Sequence, residues 1–155
     1  MADLAEGDTA PDFDLPTDGG RIRLADQNGR ILVLYFYPKD DTSGCTMEAI
    51  DFSRLAPAFA AAGAEVVGVS PDSPKSHGKF RGKHDLAISL ASDETKEMLG
   101  RYGVWVEKSM YGRKYMGVER TTVLVGKDGR IARIWRKVKV PGHAEAVLEA
   151  AKALP

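Results

Sequence analysis

The chain of 155 residues contains a single cysteine, Cys45. One cysteine cannot close an internal disulfide, so the fold must hold by packing, and a chain of this length can bury such a core without staples. A free thiol suits a reducing compartment. Long apolar runs are also lacking. The longest, "ILVLYFY" at 31–37, falls far short of the roughly 20 residues that span a bilayer. The opening "MADLAEGDTAPDF" is acidic and has no apolar stretch of the kind a signal peptide carries. A soluble, cytoplasmic protein without a membrane partner is expected. Net charge is zero, with 22 Lys and Arg against 22 Asp and Glu, but it is unevenly spread. Residues 101–139 hold 11 basic and 3 acidic side chains, which either hold an anion or form a solvated face.

Other absences narrow the chemistry. A Cys-x-x-Cys pair is missing, which argues against a thiol–disulfide exchanger. His77, His84 and His143 have no metal-like spacing, so no metal is expected and the three read as surface or capping residues. "MYGRKYMG" lacks the Gly-Lys-Ser/Thr ending of a phosphate loop, and no cofactor is expected. Repeats, low-complexity tracts and long linkers are absent, so residues 1–155 are expected to form one domain.

What is present alternates strand and helix. "DLPTDGGRIRLADQNGRI" reads as a short hairpin with turn signals at Gly19-Gly20 and Asn28-Gly29. "ILVLYFYP" fits a strand buried on both faces. "TMEAIDFSRLAPAFAAAG" approximates helical spacing, with Pro57 expected to kink or divide it. A second strand, "AEVVGVSPD", precedes a helix that Ser73 caps and Pro74 begins. "AISLASD" is a third strand, "ETKEMLGRYG" a short helix, and 104–119 a loop. "RTTVLV" and "RIARIWRKVKV" flank "GKDG", a hairpin signal, and "GHAEAVLEAAKAL" closes the chain as an amphipathic helix.

This order predicts an α/β fold: a mixed central sheet, helices on both faces and an extra N-terminal hairpin. In the last hairpin, alternation places Ala132, Ile134, Val138 and Val140 on one face, and Arg133, Trp135, Lys137 and Lys139 on the other. That is an amphipathic strand before it is a nucleic-acid surface, and nucleic acid is not an expected partner. Trp105, Trp135, Tyr111 and Tyr115 read as core or loop packing.

The cysteine sits in "PKDDTSGC", directly after the first buried strand and at the start of the next helix. A thiol there meets unpaired backbone N–H groups and the positive end of the helix dipole, and both favour the thiolate. Thr42 can place a hydroxyl beside the sulfur, Pro38 can wall the pocket, and Gly44 allows a close approach. A buried, inert cysteine is the competing reading.

"YFYPKDDTSGCTMEAIDF" resembles the active-site segment of the peroxiredoxins, in particular the bacterioferritin comigratory protein or peroxiredoxin Q subgroup. The likeness extends from "GDTAPDFDL" through "VVGVSPDSPKSHGKF" to "RTTVLVGKDGRI" and "WRKVKVPGHAEAVL". It implies a thioredoxin-like fold and a thiol peroxidase acting on hydrogen peroxide and organic hydroperoxides. It implies further that Cys45 is the peroxidatic cysteine and that Thr42 hydrogen-bonds the peroxide and the thiolate. Pro38 then shields the site, Arg120 is brought in from a distant strand, and Glu48 joins the site's hydrogen-bond network. Many members of the subgroup carry a resolving cysteine five residues after the first, where this chain has Ile50. The resemblance therefore implies a one-cysteine form whose sulfenic acid needs an external thiol: thioredoxin, glutaredoxin or glutathione. A monomer is the expected state. The alternative is a redox-sensing or nucleic-acid-binding module with one oxidisable thiol, which would consume one equivalent of peroxide where an enzyme consumes many.

Overall fold

The computed structural model describes residues 4–155. Nine strands and four helices follow in chain order. A small antiparallel hairpin, β1 (Asp14–Pro16) and β2 (Arg21–Arg23), leads through a 3₁₀ turn into β3 (Ile31–Phe36). Then come α1 (Ser43–Ala61), β4 (Ala64–Ser70), α2 (Pro74–His84), β5 (Ser89–Ser92) and α3 (Glu97–Arg101). The hairpin β6 (Trp105–Met110) and β7 (Arg113–Val118) follows. The chain ends with β8 (Thr121–Val125), β9 (Ile131–Trp135) and α4 (His143–Lys152). Among the described residues, no helix is long and apolar enough to cross a membrane.

The central sheet has the order β5-β4-β3-β8-β9, with β3 parallel to β4 and antiparallel to β8. Every residue of β3 is buried, as expected for a central strand covered on both faces. Its odd positions, Ile31, Val33 and Tyr35, with Tyr37 just past its end, join Ala49, Phe52 and Phe59 of α1, Phe80 of α2 and Val147 of α4. Its even positions, Leu32, Leu34 and Phe36, pack with the N-terminal residues Ala10, Phe13 and Ile22 and with Met98 and Leu99 of α3. Helices thus lie on both faces of a mixed sheet, as expected.

Four local expectations need correction. Residues 104–119 are not a loop, because β6 and β7 pair over six positions around a two-residue turn. Tyr111 and Gly112 both adopt the left-handed conformation that a tight hairpin turn uses. Because the arm is exposed on both faces over much of its length, its sequence lacks the alternation that marks a half-buried strand. Tyr111, at the tip, is 98% exposed and packs nowhere. Pro57 does not divide α1, since the buried stripe of Ala49, Phe52 and Phe59 continues past it and Pro57 itself faces solvent. Finally, a register shift between Leu124 and Val125 moves Ala132 off the face of Ile134, so Ala132 packs beside Trp135 on the opposite side of the sheet.

Candidate active site

The site begins where β3 ends. Pro38 stops the ladder, and the loop 38–42 turns back into α1. Asp41 adopts a left-handed conformation there, and Thr42 is the N-cap of the helix. The Thr42 carbonyl accepts from the Thr46 N–H at 2.8 Å, and its hydroxyl donates to the Lys39 carbonyl at 2.9 Å rather than towards the sulfur. Cys45 occupies the third helical position and is 1% exposed. Pro38 is half-buried at the mouth of the loop.

Arg120 immediately precedes β8. Thr121 pairs with Phe36 across the sheet, which brings Arg120 beside the end of β3 and its loop. Its Nη2 donates to Cys45 Sγ at 3.3 Å, and its Nη1 donates to Glu48 Oε1 at 2.7 Å. A Cβ at Gly44 would lie 3.3 Å from Arg120 Nη2, so the small residue before the cysteine leaves room for the guanidinium. Glu48 lies one turn beyond Cys45, 1% exposed. Burial pushes its carboxyl up to about 7 against the opposing pull of Arg120. Burial works against the charge on Arg120, but Glu48 and Cys45 outweigh it and hold the guanidinium protonated. The structure thus joins Cys45 and Glu48 through the guanidinium of Arg120, with Thr42 and Pro38 on the loop that leads into the helix.

Of the three histidines expected at the surface or in caps, His84 lies there and two do not. His77 is fully buried and His143 is 8% exposed. His77 Nε2 donates to the Ala91 carbonyl at 3.0 Å, and Nδ1 meets Asp40 Oδ2 at 2.8 Å. Asp40 also accepts from Tyr37 at 2.6 Å and Ser76 at 2.8 Å, while its backbone N–H donates to Asp72 at 2.8 Å. The cysteine loop is therefore fixed to α2 and β4–β5 by buried polar groups. Exposed bonds from Lys83 and His84 to Asp41 add to this hold. His143 hydrogen-bonds Thr122 at 2.8 Å and packs edge-on to Phe52 and Trp135. Burial, with the Arg120 charge nearby, lowers it to about 4. Tyr35 lies on the same face of β3 as Tyr37, and its hydroxyl is buried without a hydrogen-bond partner. Read as part of an apolar run, these tyrosines look like core. Their spacing of two is the signal that both hydroxyls share the face towards α1.

A free thiol held by an arginine at the start of a helix, with a buried carboxyl on the same guanidinium, is a site for attack on a small polar electrophile. Residues 6–134 match the AhpC/TSA family. The chain belongs to that family. Peroxiredoxin Bcp of Bacillus subtilis is 46% identical over 147 residues, spanning 94% of each chain. Peroxiredoxin Bcp of Xanthomonas campestris is 48% identical over 147 residues, spanning 93% and 92%. A cysteine-to-serine mutant of Xylella fastidiosa PrxQ superposes with a TM-score of 0.92 at 40% identity, covering 99% of this chain and 98% of that one. The Xanthomonas campestris bacterioferritin comigratory protein, studied for its alkyl peroxide reduction activity, superposes at 0.89 with 45% identity, covering 99% and 98%. This peroxiredoxin is a thiol-dependent peroxidase with a thioredoxin-like fold, and Cys45 is its sole cysteine.

Proposed function

We propose that Cys45 reduces hydrogen peroxide and organic hydroperoxides through a sulfenic acid that an external thiol recycles. The thiolate attacks the terminal oxygen of R–O–OH, the O–O bond breaks, Sγ–OH forms and RO⁻ leaves. Arg120 steadies the thiolate and the charge growing on the leaving oxygen. Thr42 turns its hydroxyl from Lys39 to the bound peroxide, Pro38 limits water at the mouth, and Glu48 holds the guanidinium in place. The observation that carries this reading is the 3.3 Å contact from Arg120 Nη2 to the buried Sγ, because a cation directed at a sulfur activates it as a nucleophile.

Recycling has to come from outside, since the chain has no second thiol. Thioredoxin, glutaredoxin and glutathione are the reductants we propose, in a cytoplasmic monomer serving antioxidant defence. Steady-state peroxide consumption with each reductant, beside intact-mass analysis, tests this. Many turnovers in wild type and none in Cys45→Ser are expected. With one equivalent of peroxide and no thiol, the chain should gain oxygen at monomer mass, and added glutathione or redoxin should give a mixed disulfide. Quantitative conversion to a Cys45–Cys45 dimer would overturn the recycling scheme. Consumption of a single equivalent with every reductant would favour a sensor over an enzyme.

A further inference from the structure

We propose that Glu48 is the general acid of this reaction: its carboxyl, held by Arg120 beside Cys45, delivers the proton that the leaving oxygen requires. The assignment rests on the peroxidase reading and goes beyond Glu48 as a brace for Arg120.

Three observations lead to it. The carboxyl is held at one end only, with Oε1 accepting from Arg120 Nη1 at 2.7 Å and Oε2 buried with no hydrogen-bond partner. An ionised carboxylate would leave a buried anionic oxygen without a donor from the protein, whereas a carboxylic acid places its proton there. Charge balance agrees. Arg120 brings one positive charge and the Cys45 thiolate one negative charge, so an ionised Glu48 would leave this buried cluster with a net negative charge. Finally, the neighbouring groups cannot take the role. Tyr35 on β3 is held well above its usual range by burial, and Arg120 is raised as well. His143 at the start of α4 is lowered to about 4, and Asp51 on α1 only adds negative charge. Of the groups around the sulfur, Glu48 is the one that burial brings to about 7, where an acid serves best near neutral pH.

The step balances. The thiolate takes the terminal oxygen as Sγ–OH, and both electrons of the O–O bond leave on RO⁻. Glu48 turns about its soft terminal torsion and passes its proton to RO⁻, giving ROH and a carboxylate that pairs with Arg120. One external thiol then forms a mixed disulfide with loss of water. A second expels Cys45 as thiolate and releases the proton that reloads Glu48.

The test compares hydrogen peroxide with peracetic acid in stopped-flow reactions of wild type, Glu48→Gln, Glu48→Asp and Cys45→Ser. Glutamine keeps an acceptor for Arg120 but has no proton to give. Peracetic acid expels a carboxylate, which leaves without protonation. Loss of a general acid commonly costs about 10²–10⁴ in rate, so Glu48→Gln should slow hydrogen peroxide at least tenfold more than peracetic acid, and Glu48→Asp should recover part of that difference. In wild type, the ratio of the hydrogen peroxide rate to the peracetic acid rate should fall as pH rises through about 7. In Glu48→Gln the ratio should stay level. Equal slowing of both oxidants, or of neither, overturns the proton role and leaves the peroxidase reading intact. If wild type consumes neither oxidant beyond Cys45→Ser, the peroxidase reading itself falls.

Discussion

Arg120 and Cys45 are 75 residues apart in sequence, yet one nitrogen of the guanidinium lies 3.3 Å from the sulfur while the other holds Glu48. Both contacts use the fixed fork of a single side chain, so neither can shift without disturbing the other.

Arg120→Met should slow peroxide attack by roughly 10²–10³, the usual cost of removing one donor from developing charge. Lysine should not restore the rate, because one ammonium cannot reproduce the two-ended contact. Thr42→Val should slow attack by a smaller factor, since its hydroxyl sits on the Lys39 carbonyl in the resting site. Stopped-flow traces matching wild type for either variant would contradict these roles.

Gly68→Ala should destabilise the fold. A Cβ there would lie 2.6 Å from Tyr35 Cζ and 2.7 Å from its hydroxyl. Tyr35 cannot step aside, because it stacks between Phe52 and Tyr37 with ring centroids 4.7 Å and 5.5 Å away. Overpacking of this kind costs about 1–3 kcal/mol, which a fall of several degrees in Tm would register. An unchanged Tm would mean that the strands yield more readily than this packing implies.

His77→Ala should cost on the order of 1–3 kcal/mol, because buried Asp40 loses its contact with the ring and the Ala91 carbonyl loses its donor. Adding Asp40→Asn should recover part of the loss, since an amide carries no charge to strand. Urea unfolding of the single and double variants measures the difference. A double variant no more stable than the single one would show that Asp40 is held adequately by Tyr37 and Ser76 alone.

Glu48 and His143 should pull stability in opposite directions with pH. Glu48 is raised on folding from 4.5 to about 7, so its contribution is complete below 4.5 and is lost as pH rises through 7. His143 is lowered from 6.5 to about 4, so its contribution is complete above 6.5 and is lost as pH falls through 4. Each is worth on the order of 3 kcal/mol, and the windows overlap, so wild-type stability should vary little across them. In Glu48→Gln, unfolding free energy should rise steadily with pH from 4 to 6.5, leaving the histidine unopposed. A curve as flat as wild type would refute the pairing of these two groups.

The sequence carries the strand–helix order clearly, because β3 and β4 are continuous apolar runs and Ser73-Pro74 is a direct start signal. The place of Cys45 and Thr42 at a helix start is legible locally, but helix-start chemistry leaves a buried, inert cysteine open and does not foresee the Thr42 hydroxyl on the Lys39 carbonyl. Arg120 is not legible locally, because only the register that pairs Thr121 with Phe36 brings it to the loop, and no local pattern encodes that register. The β6–β7 arm escapes notice because its exposed strands need no alternation. His77 and His143 mislead for the opposite reason. Polar residues are expected outside, and their burial depends on Asp40 and Thr122, which lie 37 and 21 residues away.

The insertion of β8 between β3 and β9 has a consequence for the newly made chain. Cys45 leaves the ribosome well before Arg120, and until β8 takes its place in the sheet the thiol has no guanidinium beside it. A half-synthesised or unfolded copy carries an ordinary cysteine. On the role proposed for Arg120, fast reaction with peroxide should begin only when the sheet is complete, so the burst of peroxide consumed by a preparation should count its natively folded molecules.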